Sequence, residues 1–158
     1  MKIESIRRRN AMLLVLGMAG TLVLGLVIVL GVSIVPSAQA DEQFTNKSIA
    51  GTWGFSASGT VVGVGPAVAV GLFAFDGTGG CSINDTLNIA TIGQVGPRTS
   101  TACTYNVNQD GTGTLTADFD QPFGGPLPLS FVIVNKKNEI QFIRTDTIAV
   151  ASGVAKKQ

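Results

Sequence analysis

The chain has 158 residues, a formal net charge of +1 and no histidine. Lacking histidine, it cannot carry His-based triads, His-metal sites or the usual acid–base group near neutral pH. Its two cysteines cannot hold a structural zinc without further ligands. No metal or cofactor is expected, and any catalysis would rest on carboxylates, hydroxyls or the single tyrosine, Tyr105.

The stretch from Met1 to Ala40 has the order of a secretory leader. Lys2, Arg7, Arg8 and Arg9 precede an uncharged, mostly apolar run from Ala11 to Val35, followed by Pro36, Ser37 and Ala38-Gln39-Ala40. Ala38 and Ala40 supply the small side chains that signal peptidase needs, which predicts cleavage after Ala40. The apolar run is also long enough for a bilayer, where about 20 residues suffice. An uncleaved anchor with its basic end in the cytoplasm is therefore the alternative. Pro36, a helix breaker just before the site, favours cleavage. Asn10 and Ala11 continue a twin-arginine motif poorly, and no cysteine closely follows the run to take a lipid anchor. Both readings export residues 41–158 to a periplasmic or extracellular location, with membrane contact only through an uncleaved leader.

Without the leader the chain runs from Asp41 to Gln158, enough for one small domain with one core. Seven basic groups against nine acids give this part a charge of −2, and no basic stripe marks a nucleic-acid partner. Residues 41–50 read as a linker, and residues 51–158 as the domain. Gly, Thr, Val and Ala are abundant, and period-two alternation is interrupted at short intervals by turn residues, the pattern of an all-β fold.

Strands are predicted near 52–59, 67–76, 80–89, 100–108, 112–119, 128–134, 139–146 and 147–155. Asp76-Gly77 and Asp110-Gly111 are hairpin-turn dipeptides. The two Asp-Gly-Thr-Gly turns lack the lysine of a P-loop and the carboxylate density of a calcium loop. Asn135-Lys136-Lys137-Asn138 is a further polar turn. Asn46-Lys47-Ser48 and Asn84-Asp85-Thr86 match the short glycosylation pattern.

In the third to fifth strands one parity is apolar and the other polar, as in an antiparallel meander around a core. About eight such strands suggest an up-and-down barrel, with a two-sheet sandwich as the alternative. The sixth strand and the stretch from Val61 to Phe73 are apolar on both faces. Such surfaces invite a cover: a second subunit, the N-terminal segment or a loop.

Cys81 and Cys103 fall on the core face of adjacent strands. In an oxidising compartment they are expected to pair. Asp85 interrupts the apolar parity of the third strand, and a buried carboxylate needs a partner. Arg144 is a candidate for that role, with Tyr105 or Thr101 supplying a hydroxyl. In one reading Asp85, Tyr105 and Arg144 form the polar end of an apolar pocket. In the other, Asp85 sits at a bulge or rim in water and Arg144 lies at a strand end. Phe55, Phe119, Phe131 and Phe142 would line such a pocket or fill the barrel outright. Trp53 is the default core anchor of the first strand.

Gly51-Thr52-Trp53 resembles the G-x-W signature of lipocalins and their calycin relatives. That resemblance implies a tryptophan plugging one barrel end, with a late-strand arginine, here Arg144, packed across it. The avidin relatives use further tryptophans against biotin, and this chain has none. Val70-Gly71-Leu72-Phe73-Ala74-Phe75-Asp76-Gly77, Tyr105-Asn106-Val107 and Phe131-Val132-Ile133-Val134 are similar to segments of exported, uncharacterised bacterial β-barrel proteins. So are Ile140 to Asp146 and Gly153 to Gln158. This similarity implies a secreted barrel and brings no activity with it.

Three functions stay open: a barrel holding an apolar small molecule, a filled barrel acting through its surface or self-association, and a cyclase- or isomerase-like enzyme. Free interior volume separates the first two. The third needs a perturbed Asp85 or Tyr105 facing a cavity.

Overall fold

The computed structural model describes residues 43–120 and 125–158. The expected leader, with its cleavage residues Ala38 and Ala40, lies outside the described residues. Among the described residues no helix is long and apolar enough to cross a membrane.

The eight strands are β1 (Gly51–Val61), β2 (Gly65–Phe75), β3 (Cys81–Ile89), β4 (Gly93–Val107), β5 (Thr112–Phe119), β6 (Gly125–Val134), β7 (Glu139–Arg144) and β8 (Ala149–Lys157). Each pairs antiparallel with the next, and β8 returns to β1, closing the barrel. Closure leaves no unpaired edge, and the sandwich alternative is overturned.

Most boundaries differ from expectation by a few residues, and two differences bear on the site. β4 starts at Gly93, because Ile89 pairs with Gly93 and makes β3 and β4 a tight hairpin. Gly93 and Gly96-Pro97 mimic loop composition and hide this first half of the strand. Between β7 and β8, Asp146 accepts the Ile148 N–H at 3.0 Å, forming a turn where strands 139–146 and 147–155 were expected to adjoin.

Alternation places one parity inside. In β5, Gly113, Leu115, Ala117 and Phe119 are buried and the intervening residues are exposed. Two inward glycines make room for aromatic rings. Phe131 lies over its cross-strand partner Gly113, and Phe142 over Gly153. A methyl group at either glycine would strike the ring, so each Gly–Phe pair packs as one unit. Cys81 and Cys103 form the expected disulfide, closing a separation of 22 residues.

Residues 46–49 of the expected linker form a 3-10 turn that seals one end of the barrel. Ile49 and Trp53 are fully buried, and the Trp53 indole N–H donates to the Ile49 carbonyl at 2.8 Å. The Asn46 side-chain oxygen accepts the Val107 N–H at 2.8 Å. Phe44 donates its backbone N–H to the Gln109 carbonyl and sets its ring against Gly111. The backbone at Gly111 has a positive φ, which suits glycine. Trp53 was expected at a barrel end, but sequence reasoning missed the part of the plug that residues 44–49 supply, because its anchors are too few to show periodicity.

Candidate functional site

Residue size sorts along the barrel axis. Toward the sealed end the inward positions carry Trp53, Phe73, Phe75, Tyr105, Ile133 and Ile140, all buried. Phe55 and Phe73 stack with centroids 4.3 Å apart, and Phe142 meets Phe73 edge-on at 5.5 Å. Offset and edge-on aromatic contacts add to the stabilisation from burial. Beyond this cluster β1, β2 and β8 turn inward mainly small side chains, Ala57, Gly59, Ala67, Ala69, Ala149 and Ala151, with Val61 at the end of β1.

The small residues leave a cavity of about 320 Å3 toward the opposite end. Its floor includes Phe55, Phe73 and Phe142, and its walls include Ile83, Leu87, Ile89, Phe119, Leu127 and Leu129. Ile148, on the β7–β8 connection, lies at the outer end and is about half exposed. The volume falls at the lower end of the range for small-molecule sites, roughly 300–1,000 Å3. The phenylalanines therefore fill one half of the interior and floor the other.

Three charged side chains join the lining: Asp85, Arg98 and Arg144. Asp85 is buried, correcting the reading that placed it in water, although a bulge does follow it in the β3–β4 register. Its partner is Arg98, not Arg144. Arg98 Nε donates to Oδ1 at 2.8 Å and Nη2 to Oδ2 at 2.7 Å. The Arg98 guanidinium also lies 4.5 Å above the Phe119 ring. One charge is thus held by a bidentate ion pair and an aromatic face.

Arg144 repeats the bidentate arrangement with Asp146, at 2.8 and 2.7 Å. The guanidinium hydrogen bond, chiefly, holds the Asp146 carboxyl below its ordinary pKa, with the Ile148 N–H adding to the effect. Arg144 therefore does not cross Trp53 as the lipocalin resemblance implied. The cation over that indole is Lys157, with Nζ 5.7 Å from the ring centroid.

Tyr105 belongs to the sealed end. Its hydroxyl donates to the Asn46 carbonyl at 3.1 Å and accepts the Gly77 N–H at 2.9 Å. Burial, first, and the Asp76 charge raise its pKa above the ordinary tyrosine value, so the phenol stays protonated near neutrality. The expected triad of Asp85, Tyr105 and Arg144 is not assembled. Asp85 and Arg144 line the cavity with Phe55, Phe119 and Phe142, while Tyr105 and Phe131 are core residues outside the lining. Both carboxylate oxygens of Asp85 are engaged by Arg98.

Arg98 is the functional candidate that sequence reasoning missed. The available signal was the need of a buried Asp85 for a cation across the β3–β4 hairpin. The bulge shifts the register there, pairing Asp85 with Arg98, and strict alternation gave no hint of it.

The two Asp-Gly-Thr-Gly turns are structural. Asp76 Oδ1 accepts the N–H groups of Thr78, Gly79 and Gly80, and Asp110 Oδ1 accepts the N–H and hydroxyl of Thr112. Among the described residues no cluster of His, Cys, Asp and Glu could hold a metal ion. No family model, no curated protein and no solved structure matches this chain.

Proposed function

We propose that this protein is an exported binding barrel that holds a small, mainly apolar molecule in its open half. The observation that carries the reading is the cavity itself. It is walled by aliphatic and aromatic side chains, carries a few fixed polar groups, and stands on a packed aromatic floor, as small-molecule sites do. The Cys81–Cys103 disulfide is compatible with the oxidising location that the leader implies. Nothing in the lining calls for a reaction, so binding is favoured over the cyclase-like alternative.

The test is titration of the barrel with an environment-sensitive apolar fluorophore, alongside an Ala69→Phe variant that fills the cavity from β2. Saturable binding by the wild type and its loss in the variant are expected. Equal binding by both proteins would move the site elsewhere, and no binding by either would end the proposal.

A second reading, self-association, is favoured by the outer face of β2, β1, β8, β7 and β6. Val70, Ser56, Val154, Gln141 and Val132 form one cross-strand row, and Val68, Ser58, Ser152, Ile143 and Ser130 form the next. Neither row has a charge, and Val68, Val70 and Ile143 are each more than half exposed. Such a patch suits pairing with a second copy. Sedimentation velocity of wild type and Val70→Lys tests this: a dimer that the substitution splits is expected, and a wild-type monomer at high concentration contradicts it.

A further inference from the structure

We infer that the cavity selects an uncharged ligand with one carbonyl-type acceptor, which hydrogen-bonds to the free edge of Arg98. This inference rests on the binding reading above and specifies the ligand's chemistry.

The starting point is the inventory of the Arg98 donors. Nε and Nη2 are engaged with the two Asp85 oxygens, and Phe119 covers one face of the guanidinium. Nη1 has no hydrogen-bond partner among the described residues. Among the described residues no fully buried side-chain nitrogen or oxygen lacks a partner, so an Nη1 without one there is not fully buried. The Arg98 side chain is only 15% exposed, and it lines the cavity. The guanidinium of this cavity-lining, mostly buried side chain is thus within reach of a ligand that enters the space.

Filling that space with a pure hydrocarbon would strip Nη1 of water and return no acceptor. A charged donor left unpaired loses its full hydration, so the apolar walls alone give only partial complementarity. A ligand oxygen placed at Nη1 removes the penalty. Charge balance then decides which kind of oxygen. Asp85 already neutralises Arg98, and Asp146 neutralises Arg144. The four groups sum to zero charge. A carboxylate ligand would be desolvated in an apolar space and share one guanidinium with the Asp85 carboxylate, a like charge at short range. A ketone, ester or amide oxygen accepts the same hydrogen bond without either cost.

The experiment compares three probes of equal carbon count: valerophenone, pentylbenzene and phenylpentanoate. Each displaces a bound fluorophore from the disulfide-intact barrel at neutral pH. The ketone is expected to bind at least about tenfold more tightly than either of the others, the usual scale of a hydrogen bond to a charged group. In the double variant Asp85→Leu/Arg98→Met, which replaces the ion pair with apolar groups of similar size, the ketone's advantage over pentylbenzene should vanish while pentylbenzene still binds.

Pentylbenzene binding as tightly as the ketone would overturn the inference and leave the binding reading standing. So would tighter binding of the carboxylate, or an advantage that survives in the double variant. Failure of all three probes would overturn the binding reading and the inference together. Should the double variant not fold, NMR of the wild-type guanidinium decides the matter. Valerophenone must shift the Arg98 Nη resonances where pentylbenzene does not, and equal responses count against the inference.

Discussion

The same strands that build a dense plug at one end of this barrel leave a chamber at the other, and the contrast lies in side-chain size. At the sealed end Trp53, Phe75, Tyr105 and Ile49 meet within the diameter of the barrel, and every polar atom they bring has a partner in the chain. In the open half β1, β2 and β8 present mainly alanine and glycine, and charge enters only as carboxylate–guanidinium pairs. An eight-stranded barrel is just wide enough to be filled by its own side chains. Small residues over one half of its length are therefore sufficient to make a chamber. Stability should concentrate at the plug, and ligand recognition at the chamber.

The largest effect should come from breaking the plug. Trp53→Ala removes a fully buried indole and its hydrogen bond to Ile49, and should cost about 3–5 kcal/mol in urea unfolding. A loss below about 1 kcal/mol would show that the sealed end is not the stable one. Arg98→Met on its own should cost nearly as much, about 3–5 kcal/mol, by leaving Asp85 buried without its partner. Adding Asp85→Leu should restore most of that, which separates the cost of an orphaned charge from the worth of the pair.

Replacing both cysteines by alanine should cost about 3 kcal/mol by releasing the loop between Cys81 and Cys103. A free-thiol assay on denatured, unreduced protein should find no reactive sulfhydryl. The comparison of the two halves is sharpest for one substitution made twice. Ala155→Phe, at a position with no exposure, should destabilise by about 1–3 kcal/mol through overpacking. Ala69→Phe, facing the cavity, should cost clearly less, because the ring enters open space, while abolishing probe binding.

The smallest effect concerns acid. Hydrogen bonds hold the Asp76, Asp110 and Asp146 carboxyls below the ordinary value of 3.8, those from Thr78, Thr112 and Arg144 respectively being the leading causes. A folded pKa below the unfolded one gives stability that is complete above the ordinary carboxylate range. It is lost as pH falls through the lowered folded values. The thermal midpoint should thus respond little to these groups between about pH 7 and pH 5 and decline below about pH 4. Asp76→Asn should blunt that decline, and a slope these three aspartates left unchanged in the triple Asn variant would refute the assignment.

Much of the architecture was legible in the sequence. Period-two alternation and the turn residues between apolar runs marked eight strands, and the apolar parity of β3 to β5 gave the inward face. Asp-Gly dipeptides marked two of the hairpin ends. The disulfide followed from Cys81 and Cys103 sharing that face in a hairpin. What escaped was wherever the period breaks. The first half of β4 was hidden behind Gly93 and Gly96-Pro97, and with it Arg98. The segment that covers Trp53 was hidden because Phe44, Asn46 and Ile49 act as single anchors without a rhythm. Arg144 was assigned to Asp85 on parity alone, whereas the β7–β8 turn offered it a nearer carboxylate in Asp146. The size gradient along β1 and β2, from Trp53 and Phe55 to Ala57 and Gly59, and from Phe73 to Ala69 and Ala67, was in plain view. Read together with the strand pairing, it marks which half is open.

The most direct measurement is methyl NMR of the barrel titrated with valerophenone. Shifts should be confined to methyl groups lining the chamber, Ile83, Leu87, Ile89, Leu127 and Leu129, while Ile49, Ile133 and Ile140 at the sealed end stay in place. Perturbation centred on the sealed-end isoleucines, or no perturbation at saturating ketone, would contradict a barrel packed in one half and receptive in the other.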